Sequence, residues 1–316
     1  MVAKQIPIII INSLLALLLL YYASIQIPVL GLLLGALMPL PTILTIRRAG
    51  WLPGLLLVAA GIGMMLYVEH FSGIKAEVLP FLHMAVIGFA LSFFVLRRYP
   101  LEIIVGGTVS LVVVLQIGVF FFLAWQQGVT PLAYLQRMIT EVWTLFSQLI
   151  EKEPLLQQEF KFSGVNLAEL TNVIAQLIPA ILLINNTLVV LLNYLLSRHL
   201  GRPEGSENSR QTLASWEAPG WLIFLFIGAG FLLLVPNQVV QMIGVNVLLI
   251  CGLFYLFQGF AILAFIFNRF QVPQFFRWSA YLLLVLIKPA MLLVILVGLI
   301  DLWLDFRHLH RPASEV

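Results

Sequence analysis

The chain has 316 residues, of which 61% are hydrophobic and only 10% charged, whereas about 25% of the residues in soluble domains are charged. This composition excludes a water-soluble protein and predicts an integral membrane protein in a lipid bilayer. The formal net charge of +3 is small, and the basic residues fall between apolar runs, which indicates membrane topology rather than binding to nucleic acid. The single cysteine, Cys251, rules out an internal disulfide and a cysteine-based metal cluster.

Nine apolar runs are the predicted transmembrane helices, since about 20 residues cross a bilayer. They are Ile6–Tyr22, Ile27–Ile46, Trp51–Val68, Val78–Leu96, Ile103–Trp125, Thr171–Leu196, Trp221–Val235, Val239–Phe267 and Ser279–Ile300. Nine helices put the C-terminus outside, yet it carries Arg307 and Arg311, so eight helices with both termini cytoplasmic are the alternative. The predicted fold class is all-α: a polytopic integral membrane helix bundle of eight or nine transmembrane helices, forming a single membrane domain over residues 1–316.

Basic residues follow every second predicted helix. They are Arg47-Arg48, Arg97-Arg98, the loop Arg198–Arg210, and Arg269 with Arg277. By the positive-inside rule these loops are cytoplasmic, as is the N-terminus with Lys4. The segment 198–219 is then a cytoplasmic polar linker between helices.

The largest segment outside the predicted spans is 126–170, which falls on the external side. Thr130-Pro131 is typical of a helix start. Leu135, Met138 and Val142 begin an apolar series at helical spacing, and polar residues occupy the opposite face. The segment is therefore predicted to form an external amphipathic helix that lies on the membrane surface or covers the bundle.

Two motifs in the second apolar run predict departures from regular helix packing. Pro39-Leu40-Pro41 should break or sharply bend the helix, either as a gate or pocket wall or as an early helix end near the interface. Gly31 and Gly35 share one face, where they let another helix approach closely. We interpret these glycines as packing within the chain, and an interface with a partner membrane protein is the alternative.

Lys288 lies near the middle of the last apolar run and is followed by Pro289, which favours a kink. A charge at the bilayer centre costs roughly 2.5 kcal/mol or more, so Lys288 should face other helices or a wet cavity. As a functional residue it would pair with an anionic group of a ligand. As a structural residue it would be satisfied by neighbouring carbonyls and polar side chains.

Further polar residues within the runs join Lys288 in a candidate ligand-binding site. Asn185-Asn186 lies halfway along the sixth run, Gln116 in the fifth and Gln258 in the eighth. Polar side chains in lipid pair across helices or mark a ligand path. No Asp or Glu lies at mid-membrane depth, where a proton-driven transporter would carry one. His83 is the nearest substitute, and we interpret it as structural.

Chemical motifs are scarce in the rest of the sequence. Asp301 and Asp305 share a helical face, but no His or third acidic residue accompanies them, so we interpret them as helix-end solvation with Asp–Arg pairing rather than a metal site. There is no phosphate-binding glycine loop, HExxH or GxSxG motif. We therefore expect no enzymatic activity, no cofactor and no bound metal.

The order of these features resembles the YybS-like family of uncharacterised bacterial membrane proteins. The resemblance is carried by Pro39-Leu40-Pro41 with Arg47-Arg48-Ala49-Gly50, by Tyr255–Arg269 with Val272-Pro273, and by Gly298–Arg307. That family is distantly similar to the S-components of energy-coupling-factor transporters, which bind a small ligand. The resemblance implies a ligand-binding or transport subunit of the bacterial inner membrane and no particular substrate.

Two functions follow from these observations. The first is a small-molecule ligand-binding or transport subunit that uses the candidate site around Lys288. The second is a non-transporting scaffold, which would pack against partner membrane proteins through Gly31, Gly35 and the amphipathic helix.

Overall fold

The computed structural model describes residues 2–26, 28–73, 75, 77–152, 167–200, 214 and 216–307. Within these ranges the protein is helical and contains no strands. The helices are α1 Val2–Gln26, α2 Pro28–Ala36, α3 Pro39–Ala49, α4 Trp51–Ser72, α5 Val78–Leu96, α6 Leu101–Gln126, α7 Pro131–Lys152, α8 Leu167–Leu200, α9 Leu222–Leu232, α10 Gln238–Arg269, α11 Gln274–Leu286 and α12 Lys288–Leu304.

Six of the described helices contain segments long and apolar enough to cross a membrane. These are Ile6–Gln26, Trp51–Ser72, Val78–Leu96, Leu101–Gln126, Val173–Leu200 and Gln238–Arg269. The pair α11 and α12 forms a seventh candidate, bent by 105° at the break between the two helices. The predicted all-α membrane architecture is confirmed, whereas the count of eight or nine transmembrane helices is not confirmed in the described residues.

Two of the predicted runs do not form a full straight span. The run Ile27–Ile46 contains two helices, α2 and α3, because Pro39 and Pro41 lack the N–H groups that would continue one hydrogen-bond ladder. The run Trp221–Val235 contains only the 11 residues of α9. At 1.5 Å per residue this helix is about 16 Å long, half of the ~30 Å hydrocarbon core.

The last predicted run, Ser279–Ile300, is broken where Pro289 predicts a kink. Ile287 separates α11 from α12 and has extended backbone angles, with φ −93° and ψ 92°. Pro289 then lies in the first turn of α12, where a missing N–H breaks no helical hydrogen bond. Lys288 is consequently the first residue of a helix and does not lie in the middle of one.

The chain forms two compact units. The first comprises Met1–Thr171 and Asn185–Arg202, and the second comprises Asn172–Ile184 and Pro203–Val316. Helix α8 therefore contributes Asn172–Ile184 to the second unit and its remaining residues to the first. One boundary falls in the predicted polar linker 198–219, of which residues 201–213 lie outside the described residues. The single membrane domain expected over 1–316 stays a prediction.

In the first unit, α1, α3 and α4 pack together, α5 packs on α3, and α6 packs on α5. The apolar core between these helices consists of Leu17, Tyr21, Met38, Leu57, Val58, Met65, Phe81 and Ala85. At one end of this core the Glu77 backbone N–H donates a 2.7 Å hydrogen bond to the Tyr21 hydroxyl. This bond holds the start of α5 against α1.

The second unit is built around α10, against which α9 and α12 both pack. Its core contains Ala218, Leu222, Cys251 and Tyr255. Glycines allow α12 to lie directly on α10, because a Cβ at Gly298 would overlap the Tyr255 carbonyl oxygen. Helix packing of this kind, through small residues, is common in membrane proteins.

Helix α7 lies within the predicted amphipathic segment 126–170 and begins at Pro131, as the motif Thr130-Pro131 predicts. The Thr130 hydroxyl accepts a 3.3 Å hydrogen bond from the Ala133 N–H and caps the helix. The Tyr134 ring contacts Phe120 of α6, with ring centroids 5.4 Å apart. Residues 153–166 of the predicted segment lie outside the described residues.

Candidate functional site

A cluster of three polar side chains from three helices lies inside the first unit. Asn186 of α8 donates a 2.7 Å hydrogen bond from Nδ2 to Oε1 of Gln116 in α6. Nε2 of Gln116 lies 3.5 Å from Nε2 of His83 in α5. The structure thus brings together two of the predicted site residues, Gln116 and Asn186. It adds His83, which the sequence had indicated only as a structural residue. We call these three residues the polar cluster.

Asn186 is 1% exposed. Its Oδ1 accepts no hydrogen bond of ordinary geometry in the described part of the chain, although the His83 ring lies close enough to interact with the Asn186 side chain. A buried acceptor without a partner costs about 1–3 kcal/mol, so such an atom calls for an explanation. The adjacent Asn185 is exposed, because consecutive residues of a helix point in different directions. Of the predicted asparagine pair, only Asn186 belongs to the polar cluster.

The break between α2 and α3 is a second polar feature of the first unit. The Met38 N–H bonds the Gly35 carbonyl at 3.1 Å, and the Leu40 N–H bonds the Leu37 carbonyl at 3.0 Å. In a regular helix, Leu40 would bond Ala36. The Ala36 carbonyl therefore has no backbone donor of its own, and it accepts a 2.7 Å hydrogen bond from Nδ2 of Asn193 in α8.

Asn193 is fully buried, and its Nδ2 also donates to Val189 at 2.8 Å. Its Oδ1 has no hydrogen-bond partner among the described residues. Sequence analysis missed Asn193, although it follows Asn186 by seven residues and so lies on nearly the same face two turns later. One turn further, the Ser197 carbonyl accepts a hydrogen bond from Arg47 at the end of α3. The face of α8 in the first unit is therefore a polar stripe directed at α6, α2 and α3.

Helix α3 presents two fully buried threonines to its neighbours. The Thr45 hydroxyl donates a 2.8 Å hydrogen bond to Ser13 of α1. The Thr42 hydroxyl has no partner in the described residues. A Cβ at Gly88 of α5 would lie 3.0 Å from Thr42 Cβ and 3.2 Å from the Pro39 carbonyl oxygen. Gly88 thus allows α5 to lie directly on the first turn of α3, next to the break.

In the second unit, the Asn246 side chain of α10 hydrogen-bonds two backbone groups of α8 on either side of Pro179. Its Oδ1 accepts from the Ala180 N–H at 2.9 Å, and its Nδ2 donates to the Gln176 carbonyl at 2.7 Å. These two backbone groups would bond each other in a regular helix. The Pro179 ring crowds the preceding turn, and the Asn246 amide satisfies the groups that this crowding separates.

Gln258, another predicted site residue, joins a buried ionic network in the second unit. Its Nε2 donates to Oδ2 of Asp301 at 3.0 Å, and its Oε1 accepts from the Ala218 N–H at 3.3 Å. Oδ2 of Asp301 also lies 2.8 Å from Arg307, and the two side chains are 3% and 1% exposed. The Asp–Arg pairing expected from the sequence is present, but it is buried rather than solvated.

Arg307 also fixes the chain that precedes α9. Its Nη1 donates to the carbonyls of Ala214 at 3.1 Å and Trp216 at 2.7 Å. A groove of about 440 Å³ lies beside this segment, lined by Glu217, Ala218, Pro219, Gly220 and Leu302. Among the described residues there is no group of three His, Cys, Asp or Glu side chains that could hold a metal ion.

Lys288 opens α12, and its side chain lies outside the described part of the protein. The backbone still indicates its level along α10. The two helices run antiparallel, because Gly298 packs on Tyr255 and Val294 on Gly259. Lys288 precedes Val294 by six residues, so the same antiparallel pairing places its backbone beyond Gly259, toward the C-terminal end of α10. The sequence had placed it near the midpoint of a continuous span.

The predicted glycine face of α2 packs within the chain. A Cβ at Gly31 would overlap the Ser24 carbonyl of α1, and one at Gly35 would lie 3.7 Å from Ser24 Cβ. The close approach that the glycines permit is therefore made by α1.

Comparison with known proteins gives one result that decides the family. The family model described as predicted membrane protein, DUF2232, matches residues 13–302. The chain belongs to this family. No curated protein and no solved structure matches the chain.

The DUF2232 match extends over both units, so the polar cluster, the α2–α3 break and the Asp301–Arg307 pair all lie within the family region or at its end. In the described residues of the first unit, the buried side-chain atoms without hydrogen-bond partners are oxygen atoms of neutral side chains. Such atoms accept hydrogen bonds or coordinate cations. In the second unit, by contrast, both Nε2 and Oε1 of the predicted residue Gln258 have protein partners.

Proposed function

We propose that this DUF2232 protein binds a small polar solute inside the membrane at the polar cluster of His83, Gln116 and Asn186, as a ligand-binding or transport protein. The observation that supports the proposal is the buried Oδ1 of Asn186, which accepts no hydrogen bond of ordinary geometry in the described residues. The location proposed with it is the bacterial inner membrane, which the family resemblance implies, with a cytoplasmic N-terminus, which the distribution of basic residues favours.

The chemistry of the cluster restricts the ligand. An amide oxygen accepts hydrogen bonds and cannot donate them, so the ligand should bring a donor such as an amine, amide or hydroxyl group. Each member of the cluster stands on a different helix, namely α5, α6 and α8. A ligand bound there would contact all three helices, as ligands do in many helix bundles.

Lys288 suggests an anionic group on the ligand, and this suggestion stays a prediction. It belongs to the second unit, as does Gln258. The polar cluster itself contains neither a Lys nor an Arg, so its own geometry favours a donor-bearing ligand over an anion. We propose no enzymatic activity for this protein.

The scaffold hypothesis has weaker support. Its interface was expected at Gly31 and Gly35, and Ser24 of the same chain packs against that face. The amphipathic helix α7 would then be the main remaining surface for a partner.

The proposal is tested on the full-length protein purified in mild detergent. Small molecules that co-purify are identified by mass spectrometry, and each is then titrated against thermal unfolding. We expect at least one donor-bearing solute to raise the melting temperature of the native protein. Asn186→Leu should abolish that shift.

Asn185→Leu is the matched control, because Asn185 is the exposed neighbour on the same helix. It should leave the ligand-induced shift unchanged. Equal loss of the shift in both variants would place the ligand elsewhere. An unchanged shift in Asn186→Leu would contradict the proposal.

A further inference from the structure

We propose that the break between α2 and α3, together with Asn193, forms a binding site for a monovalent cation such as Na⁺. The site uses atoms different from those of the polar cluster, so it stands whether or not a solute binds there. The candidate ligands are the Ala36 carbonyl oxygen, Oδ1 of Asn193 and the Thr42 hydroxyl oxygen, which lie at the break or in the first turn after it.

The first argument is an excess of acceptors at the break. Pro39 and Pro41 provide carbonyls but no N–H groups. The N–H groups of Leu37, Met38 and Leu40 bond the carbonyls of Leu34, Gly35 and Leu37. No backbone donor in this turn remains for Ala36, and among the described residues its partner is the Asn193 amide. A carbonyl oxygen has two lone pairs, so Ala36 can still coordinate an ion.

The second argument comes from two side chains at the break. Asn193 and Thr42 are both fully buried, and neither Oδ1 of Asn193 nor Oγ1 of Thr42 has a partner in the described residues. Nδ2 of Asn193 bonds the Ala36 carbonyl. Oδ1 and Nδ2 are both attached to Cγ of Asn193, so Oδ1 also lies beside the break. Thr42 is in the first turn of α3, which begins at the break.

The third argument is electrostatic. The C-terminal end of a helix carries a partial negative charge, and α2 ends at Ala36. The opposing N-terminus of α3 would normally present free N–H groups, but two of its first three residues are prolines. In secondary transporters, the C-terminal ends of broken membrane helices coordinate Na⁺ through their carbonyls.

The charge of the ion follows from the ligands. All three ligands are neutral, and oxygen sites for divalent ions usually include carboxylates. Because Asn193 and Thr42 are fully buried, an ion bound between them would be shielded from bulk water. A monovalent cation satisfies several acceptors at once, whereas a water molecule offers only two donors.

The test uses full-length protein in detergent at constant ionic strength, with NaCl or KCl replaced stepwise by choline chloride. We expect the melting temperature to rise saturably with Na⁺ or K⁺ over choline, because an ion that binds only the folded state stabilises it. Saturable binding of ²²Na⁺ should accompany a Na⁺ response. A melting temperature that is the same in all three salts would mean that only water occupies the break, and would overturn the proposal.

Substitutions of two proposed cation-coordinating residues make the test more specific. Thr42→Val keeps the shape of the side chain and removes the hydroxyl, so it should shift the salt titration to several-fold higher cation concentration. Asn193→Asp adds a negative charge beside the break. It should make folding more dependent on the cation, with a larger difference in melting temperature between Na⁺ and choline.

Thr45→Val is the matched control, because Thr45 is equally buried on the same helix but bonds Ser13. It should lower the melting temperature in every salt and leave the cation titration unchanged. If Thr42→Val and Thr45→Val shift the cation titration equally, the site does not include Thr42 and the proposal fails in this form.

Discussion

Gly298 of α12 packs on the backbone of Tyr255 in α10, so closely that any Cβ at position 298 would overlap the Tyr255 carbonyl oxygen. On the opposing helix, a Cβ at Gly259 would overlap the Val294 carbonyl in the same way. The two glycines thus form one crossing point, and the buried Asp301–Arg307 pair lies just beyond it along α12.

This crossing predicts that Gly298→Ala destabilises the protein. The neighbour is backbone and cannot move aside, so the helices must separate, at a cost of about 1–3 kcal/mol or more. Gly252→Ala in α10 is the control, because nothing lies within 4 Å of its added Cβ. Thermal unfolding in detergent should show a clear drop for position 298 and none for position 252. Equal effects would mean that the helices are not in contact there.

A second prediction concerns Asn246 and Pro179. Asn246→Leu leaves the Ala180 N–H and the Gln176 carbonyl without their side-chain partner, at about 1–3 kcal/mol each, less what the helix recovers by closing. In a Pro179→Ala background the helix can close, so the same substitution should cost less. A double-mutant cycle on unfolding free energies measures this coupling. Equal costs in both backgrounds would contradict the bridging role of Asn246.

A third prediction concerns the buried ion pair. Arg307→Met leaves the Asp301 carboxylate buried without its positive partner, which should cost about 3–5 kcal/mol. Adding Asp301→Asn removes the unpaired charge and should restore most of the lost stability. Unfolding in denaturant compares the single and double variants. A double variant no more stable than Arg307→Met would show that Arg307 acts through Ala214 and Trp216 alone.

A fourth prediction concerns topology. Four continuous candidate spans and the broken pair α2–α3 precede Gly128. If the broken pair crosses the bilayer, the N-terminus and Gly128 lie on opposite sides; if it re-enters, they lie on the same side. The basic residues favour a cytoplasmic N-terminus and an external Gly128. Reporter fusions at both positions decide this, and reporters on one side would show that α2–α3 is re-entrant.

The sequence alone was sufficient for the continuous apolar helices. The predicted runs Trp51–Val68, Val78–Leu96 and Ile103–Trp125 closely match α4, α5 and α6. Burial in lipid selects apolar residues locally, and each helix satisfies its own backbone hydrogen bonds. The length and hydropathy of a run therefore determine such a helix without reference to the rest of the chain.

The candidate site was only partly predictable. Gln116 and Asn186 were recognised because a polar residue in an apolar run must find a partner. The local sequence does not show which partner a polar residue has. Sequence reasoning therefore grouped Gln116 and Asn186 with Gln258, which the structure places in the other unit, bonded to Asp301. His83 was interpreted as structural because it lies near a helix end, and Asn193 was missed because a single polar residue two turns beyond a recognised pair is common.

The sequence by itself determined that this protein is an all-helical membrane protein, and Pro39, Pro41 and Pro289 marked where its helices break. Proline acts through its own backbone, so its effect is local. Only the tertiary structure decided what satisfies the polar groups that the breaks expose. Asn193 meets Ala36 across 157 residues of sequence, and Asn246 meets Ala180 across 66. Such pairs depend on how helices pack, and packing is a property of surfaces distant in the chain.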